Sequence, residues 1–166
     1  MRRAQLCKYA YKAPSQIAGA GTGVYAKRDI PAGVIIGRYN GYNKKLEDVD
    51  YNEMVYAADI GDNKVRIGSG ISAIINDTVI LRKLTPIETH YAQTYGIFPR
   101  HNGLEHNTQF IRTQLSADKS PDIYIQTILP IKKGDELFID YGKQYWQAVF
   151  SNQGLWSDKA APIASG

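Results

Sequence analysis

The sequence predicts a mainly β (α+β) domain made of several small sheets and a few short helices. Short segments rich in Val, Ile and Tyr alternate with Gly, Pro, Asn and Asp, a pattern typical of strands joined by tight turns. Signals for helices are confined to two places. From 166 residues we expect a single domain that buries a sizeable core.

The predicted strands are apolar, β-branched or aromatic segments that begin and end at turn residues. They are Gly23–Lys27, Val34–Tyr39, Met54–Ile60, Lys64–Gly68, Thr108–Leu115, Ile123–Leu129 and Leu137–Asp140. Gly61-Asp62-Asn63 predicts a hairpin turn between two of these strands. Two turns that end in glycine, Ile30–Gly33 and Ile131–Gly134, each precede an apolar strand.

Two segments predict helices. Leu46–Met54 is polar and predicts a short helix before its strand. Lys143–Gln153 carries apolar residues on one helical face, which we expect to pack in the core rather than to form a ligand wall. They are Tyr145, Trp146, Val149 and Phe150. Residues 78–106 have no sustained period and predict a long loop that is either functional or mobile. The tail from Ser157 is expected to fray.

Composition narrows the class of protein. Twenty Lys and Arg against 16 Asp and Glu give a net charge of +4, and the basic residues are scattered, which favours a solvated surface over a nucleic-acid stripe. No apolar segment is long enough to predict a membrane span, and we expect no signal peptide from the first residues, because no apolar stretch follows their positive charge. Cys7 is the only cysteine, which excludes an internal disulfide and fits an intracellular location. The spacing of His90, His101 and His106 fits no standard metal pattern, so no metal site is predicted.

Four fragments that could carry chemistry follow one another along the chain. Gly19–Gly23 is a glycine-rich stretch before a strand, where a ligand can approach the backbone closely, although a tight turn would need the same glycines. After it come Gly70–Asp77, the pair His106-Asn107, and the segment Gly134–Gly142, which reads Gly-Asp-Glu-Leu-Phe-Ile-Asp-Tyr-Gly.

In this order the fragments resemble the motifs of SET-domain protein-lysine methyltransferases. Gly134–Gly142 matches the closing motif of that family nearly residue for residue, and Ser15–Gly41 resembles its opening motif. Gly70–Asp77 resembles the family's segment that ends in Asn-His, and His106-Asn107 its later Pro-Asn pair. The resemblance implies a SET domain over residues 15–146 with an insertion at about 78–105. It leaves residues 1–14 as an N-terminal extension and 147–166 as a C-terminal helix and tail.

The resemblance also implies a C-terminal pseudoknot, a bound S-adenosylmethionine and a channel that admits a lysine from the opposite face. The residues implied in cofactor binding are Gly21, Thr22, Gly23, Asn76, Asp77 and Asn107. Tyr141 would be the catalytic tyrosine at the point of methyl transfer. Tyr39 would bind the substrate lysine in the channel, and Tyr124, on the neighbouring strand, is a weaker candidate.

The residue types suit the chemistry. Methyl transfer needs a neutral amine in line with the sulfonium, whereas free lysine has a pKa of about 10.4. A dry aromatic channel and the nearby sulfonium charge both disfavour the ammonium form. A tyrosine hydroxyl can orient the amine and accept a weak C–H···O contact without placing a full charge in the channel.

The chain departs from the family pattern at several positions. Asp77 stands where the family commonly has His, so a role that needs an imidazole at that position would be lost. No cysteine-rich post-SET segment is present, and aromatic residues near the C-terminus are expected to close the channel instead. The candidates are Trp146, Phe150 and Trp156. Ile139 takes a position where the family often has Phe or Tyr, which leaves the number of methyl groups added open.

The implied partner is a protein that carries a lysine, with histones as the first expectation and a nuclear location if that holds. Direct nucleic-acid binding is not expected, and the 78–105 insertion could serve a peptide groove, a homodimer contact or no function. One alternative is a catalytically inactive SET-fold module that binds a partner protein. Another is an unrelated β-rich structural or nucleic-acid-binding domain, which the scattered basic charge does not favour.

Overall fold

The structure is a computed structural model that describes residues 6–113 and 121–159. Its strands are β1 (Ala10–Pro14), β2 (Thr22–Ala26), β3 (Ile35–Arg38), β4 (Gly41–Lys45), β5 (Ala57–Gly61), β6 (Lys64–Gly68), β7 (Thr108–Arg112) and β8 (Ile123–Thr127). Its α-helices are α1 (Tyr51–Met54), α2 (Pro86–Tyr95) and α3 (Lys143–Asn152). Short 3-10 turns lie at Leu6–Lys8, Leu46–Asp48 and Ile71–Ile74. The predicted fold class, small sheets with short helices, is confirmed.

The chain divides into two compact units. The first contains the described residues of Met1–Asp77 and Glu105–Asp140, and the second those of Thr78–Leu104 and Tyr141–Gly166. None of the helices in the described residues has the length and apolar character needed to cross a membrane.

The first unit holds three small antiparallel sheets, ordered β1-β2, β3-β8-β7 and β4-β6-β5. Strands β1 and β4 were missed in the sequence because most of their side chains are exposed, so neither shows an apolar alternation. β1, which falls within the predicted N-terminal extension, pairs along its whole length with β2. The strand predicted at Met54–Ile60 begins only at Ala57, since the residues before it form α1.

The predicted hairpin turn after β5 is confirmed. Asp62 and Asn63 both have positive φ, at 54° and 56°, which is the backbone of a two-residue type I′ turn. Its hand matches the twist of the antiparallel pair β5–β6. Behind this sheet, Tyr39, Ile60 and Ile123 form a buried cluster.

The two glycine-closed turns pair with each other. Ile30 and Ile131 exchange two backbone hydrogen bonds, each 2.8 Å long. Gly33 and Gly134 close these turns with φ of 84° and 90°, values that a residue with a Cβ rarely adopts. This pairing holds the start of the closing segment close to β2.

The segment predicted as a strand at Leu137–Asp140 pairs through isolated bridges, and no regular strand forms there. Glu136 bridges Tyr25 in the antiparallel sense, while the next residues bridge Asn76 and Thr108 in the parallel sense. Because the segment passes three different parts of the chain, it pairs only briefly with each. Such pairing is what the predicted C-terminal pseudoknot requires.

The predicted loop over 78–106 is wrong in its centre, because α2 lies there. Thr85 begins the helix with a capping box: its Oγ1 accepts from the N–H of Glu88, whose side chain accepts from the N–H of Thr85. Pro86 follows at the first helical position, and Gly96 ends the helix with φ of 69°. The Thr-Pro-Ile-Glu sequence carried this signal. The apolar period failed because α2 buries only Thr89 and Ala92.

The second unit has its own apolar core, to which both of its chain segments contribute. The buried residues are Val79, Leu84, Ala92, Phe98, Trp146, Val149 and Phe150. The predicted packing of the apolar face of α3 is therefore confirmed. Gln147 ties the helices together by donating from Nε2 to the carbonyl oxygen of Ala92 over 3.0 Å. The insertion thus supplies half of a core.

Candidate active site

The glycine-rich stretch forms a closed loop before β2. The N–H of Ser15 donates to the carbonyl oxygen of Gly21 over 2.7 Å, so the loop returns on itself. Gly21 has φ of 71°, in the region that favours glycine, and both Gly21 and Thr22 are exposed. Both residues therefore lie at the surface, as the proposed cofactor role requires, and their carbonyl oxygens already accept from Ser15 and Asn76.

Gly23 is needed for a different reason from the one that the sequence suggested. It is buried, and a Cβ at this position would lie 2.6 Å from Oε2 of Glu136 and 3.2 Å from Cα of Ser15. A side chain of this protein, rather than a ligand, occupies the space beside it. The absence of a Cβ lets Glu136 reach the base of the loop.

Two predicted cofactor residues hold the closing segment. The Asn76 side chain donates from Nδ2 to the carbonyl oxygen of Thr22 over 3.2 Å. The backbone carbonyl oxygen of Asn76 accepts from the N–H of Ile139 at 2.9 Å. Asn107 donates from Nδ2 to the carbonyl oxygen of Glu136 over 3.0 Å and accepts at Oδ1 from the N–H of Phe138 over 2.8 Å. The structure therefore brings Thr22, Asn76 and Asn107 together around this segment.

Asp77 is paired with an imidazole that the sequence reasoning did not assign. The Asp77 side chain has 0% exposure, and its Oδ1 lies 2.6 Å from Nε2 of His106, which is 21% exposed. When the carboxylate is ionised it can only accept, and Nε2 then donates. The sequence placed His106 only in the pair that resembles the family's Pro-Asn and among candidate metal ligands, and nothing local indicated that it would contact Asp77.

Asp140 joins this pair. Ligand atoms of Asp77, His106 and Asp140 all lie within 4.8 Å of one another. Two carboxylates and one imidazole are ligands that a divalent cation accepts. The hydrogen bond between Asp77 and His106 competes with that use, because a cation on Nε2 would replace the shared proton. The predicted absence of a metal stays a prediction.

Tyr141 begins the second chain segment of the second unit, directly after Asp140. Its partly buried ring stacks on Trp146, with centroids 5.7 Å apart and planes at 11°, and meets Tyr145 edge-on at 4.8 Å. Of the aromatic residues expected to close the channel, Trp146 is the one that stacks on Tyr141. Phe150 and Trp156 pack on each other at 5.6 Å and on Phe98.

The two predicted substrate tyrosines face opposite sides of the β3-β8-β7 sheet. Tyr39 is 5% exposed, packs with Ile123 and donates its hydroxyl to the carbonyl oxygen of Tyr56 over 2.6 Å. Tyr124 is partly exposed and lies between Ile123 and Ile125, both buried, on β8. Since side chains alternate along a strand, Tyr124 points away from the face that Tyr39 covers. Both roles stay predictions.

The fold and site define a class of small β-rich domains. In this class, a closing segment lies between a glycine loop and two asparagines. The SET domain family model matches residues 21–142, and the chain belongs to that family. A comparison with curated proteins finds no match.

Several solved structures share the fold at low sequence identity. A candidate histone methyltransferase of Plasmodium falciparum aligns with TM-score 0.57 and 18% identity, over 83% of this chain and 96% of that chain. Chaetomium thermophilum Polycomb Repressive Complex 2, autoinhibited and bound to S-adenosylmethionine, aligns with TM-score 0.57 and 16% identity, over 88% of this chain and 17% of that chain. KRYPTONITE in complex with mCHG DNA and SAH aligns with TM-score 0.52 and 20% identity, over 76% of this chain and 22% of that chain. At these identities the likeness is one of fold.

Proposed function

We propose that the chain is an S-adenosylmethionine-dependent methyltransferase that acts on a lysine side chain of a protein. The observation that carries the proposal is the convergence of the glycine loop, Asn76 and Asn107 on one closing segment. That segment leads without a break into Asp140 and Tyr141. Membership in the SET family supports it, as do neighbours described with S-adenosylmethionine and SAH.

The residues of the first unit fit a cofactor with a polar amino-acid end. The exposed residues Gly21 and Thr22 would bind its methionine part, and Asn76, which donates to the carbonyl oxygen of Thr22, would bind the adjoining edge. Both polar atoms of the Asn107 side-chain amide bond to the closing segment, so Asn107 would support the cofactor site indirectly. When bound, the cofactor supplies an electrophilic methyl group on a sulfonium.

Tyr141 is the proposed catalytic residue, because its hydroxyl would orient the attacking amine. The stack on Trp146 and the edge contact with Tyr145 fix the plane of its ring. Lysine must lose a proton before it reacts, and an apolar aromatic wall favours the neutral amine by excluding water. The chain therefore needs alignment and desolvation more than a strong base.

The proposed substrate is a histone, which would place the protein in the nucleus. Ile139 in the closing segment is 1% exposed. Mass spectrometry of the product would count the methyl groups added to each lysine. The competing function is a module that binds the cofactor or a partner without turnover. Asp77, which stands where the family commonly has histidine, favours this competing function. The contact of His106 with Asp77 weighs against it, because it places an imidazole beside that carboxylate.

Binding of the cofactor tests the proposal directly. In titration calorimetry with S-adenosylmethionine, we expect the wild type to bind and Asn76→Ala to bind at least about tenfold more weakly, since the loop loses a hydrogen bond. Asn52→Ala, at an exposed position on α1, is the matched control and should bind as the wild type does. A wild type that binds neither S-adenosylmethionine nor SAH would contradict the proposal.

A further inference from the structure

A buried carboxylate lies under the glycine loop. Glu136, in the closing segment, is 3% exposed. Its Oε2 accepts from the hydroxyl of Ser15 over 2.7 Å, and its Oε1 accepts from the N–H of Gln16 over 2.9 Å. A buried charge is costly unless hydrogen bonds satisfy it, and here two donors from the loop do so.

The donors sit at the residues that define the loop. The N–H of Ser15 closes the loop onto Gly21, and the Ser15 hydroxyl also accepts from the N–H of Ile17 at 3.1 Å. The carboxylate therefore holds the first turn of the loop, 120 residues away in the chain. It also lies against Gly23, where any Cβ would meet it.

The same residue reaches a second part of the site through its backbone. The carbonyl oxygen of Glu136 accepts from Nδ2 of Asn107, and the next N–H, of Leu137, donates to the carbonyl oxygen of Val24 over 2.7 Å. Glu136 and the adjacent Leu137 thus connect the loop, β2 and Asn107. An apolar side chain would fill this space at a lower desolvation cost, but it would leave Ser15 and Gln16 without their acceptor.

We propose that Glu136 is a positioning residue for the cofactor, which fixes the glycine loop in the conformation that binds S-adenosylmethionine. This inference rests on the proposed function. Glu136 acts through Ser15, Gln16 and Gly23 and takes no part in methyl transfer. Its loss therefore weakens cofactor binding and leaves the chemical step unchanged.

The test uses Glu136→Gln and Ser15→Ala, alone and together. Each single change should raise the KM for S-adenosylmethionine about tenfold and leave kcat within about twofold, because Ser15→Ala removes one hydrogen bond to the carboxylate and Glu136→Gln removes its charge and one acceptor oxygen. The double variant should be impaired less than the sum of the two single variants, since the Ser15 hydroxyl and the Glu136 carboxylate share one contact. Glu53→Gln, which removes a carboxylate bonded to Lys44 and Tyr42 elsewhere in the first unit, is the control and should leave KM unchanged.

Hydrogen exchange without cofactor separates this inference from the proposed function. In Glu136→Gln, the amides of Ser15, Gln16 and Ile17 should exchange faster while those of β6 keep the wild-type rate. Unchanged exchange in the loop, a rise spread over the whole first unit, or a loss confined to kcat would each overturn the positioning role. A wild type that fails to bind S-adenosylmethionine overturns the proposed function, and with it the cofactor role of Glu136.

Discussion

The Nε2 atom of His106 lies 2.6 Å from Oδ1 of Asp77, although 29 residues separate them in the chain. The sequence has an aspartate where the SET family commonly has histidine, and this contact brings an imidazole to that aspartate from another segment. The carboxylate has no exposure to solvent, and this contact supplies it with a hydrogen-bond partner inside the protein. The departure at Asp77 is thus accompanied by a specific partner.

Removing the imidazole should destabilise the protein. We expect His106→Ala to lower the free energy of unfolding by about 2 kcal/mol, because a buried carboxylate loses a charge-assisted hydrogen bond. Asp77→Asn should cost less, since an amide oxygen still accepts from Nε2. Urea unfolding measures both, with His90→Ala, on the exposed face of α2, as the control. A His106→Ala protein as stable as the wild type would show that the pair contributes little.

Chelation should leave the protein unaffected. The cluster of Asp77, His106 and Asp140 contains metal-binding groups, but the hydrogen bond within it already engages the imidazole. We therefore expect the affinity for S-adenosylmethionine and the melting temperature to be the same before and after dialysis against EDTA. A drop in either quantity that Zn²⁺ or Mn²⁺ restores would identify a metal site instead.

Acid should weaken α2 through Glu88. Hydrogen bonds from Arg82 and then from the backbone of Thr85 lower the pKa of Glu88 from 4.5 to about 2. Since the folded pKa is the lower one, the stabilisation is present above about pH 4.5 and is lost as the pH falls towards 2. Between these values, melting temperatures of Glu88→Gln should fall less steeply than those of the wild type. The effect should be small, because the pair is partly exposed and water screens it.

Equal slopes for the two proteins would contradict this assignment. Glu47→Gln, at an exposed position in the first unit, is the control and should follow the wild type throughout. High salt should reduce the difference between Glu88→Gln and the wild type, because it screens an exposed ion pair.

Loss of the aromatic stack should slow turnover. Trp146 is 9% exposed and lies nearly parallel to Tyr141, so it fixes the ring that carries the proposed catalytic hydroxyl. We expect Trp146→Leu to lower kcat about tenfold, in line with an aromatic pair contribution of roughly 0.5–1.5 kcal/mol, and to leave the affinity for S-adenosylmethionine unchanged. Trp156→Leu, which removes a tryptophan from the same unit, should lower kcat much less. Equal effects of the two changes would assign Trp146 a role in packing only.

The sequence was informative where local chemistry decides the structure. The hairpin turn at Gly61-Asp62-Asn63 and the apolar face of α3 follow from residue types and their spacing, while the closing segment follows from its resemblance to the SET motif. It was uninformative where a partner distant in the chain decides. Nothing local marks Glu136 as the carboxylate that holds Ser15, and nothing local pairs His106 with Asp77. Helix α2 is intermediate. Its capping box can be recognised in the sequence, but its apolar face is too weak to predict a helix.

The central claim is tested most directly by comparing wild type with Tyr141→Phe in transfer of a labelled methyl group. Both proteins would be incubated with labelled S-adenosylmethionine and either core histones or a cell extract, and labelled residues would be identified by mass spectrometry. The account predicts that the wild type labels lysine and that Tyr141→Phe loses most of this activity while it binds the cofactor normally. Equal labelling by the two proteins, or no labelling by the wild type on any substrate, would contradict it.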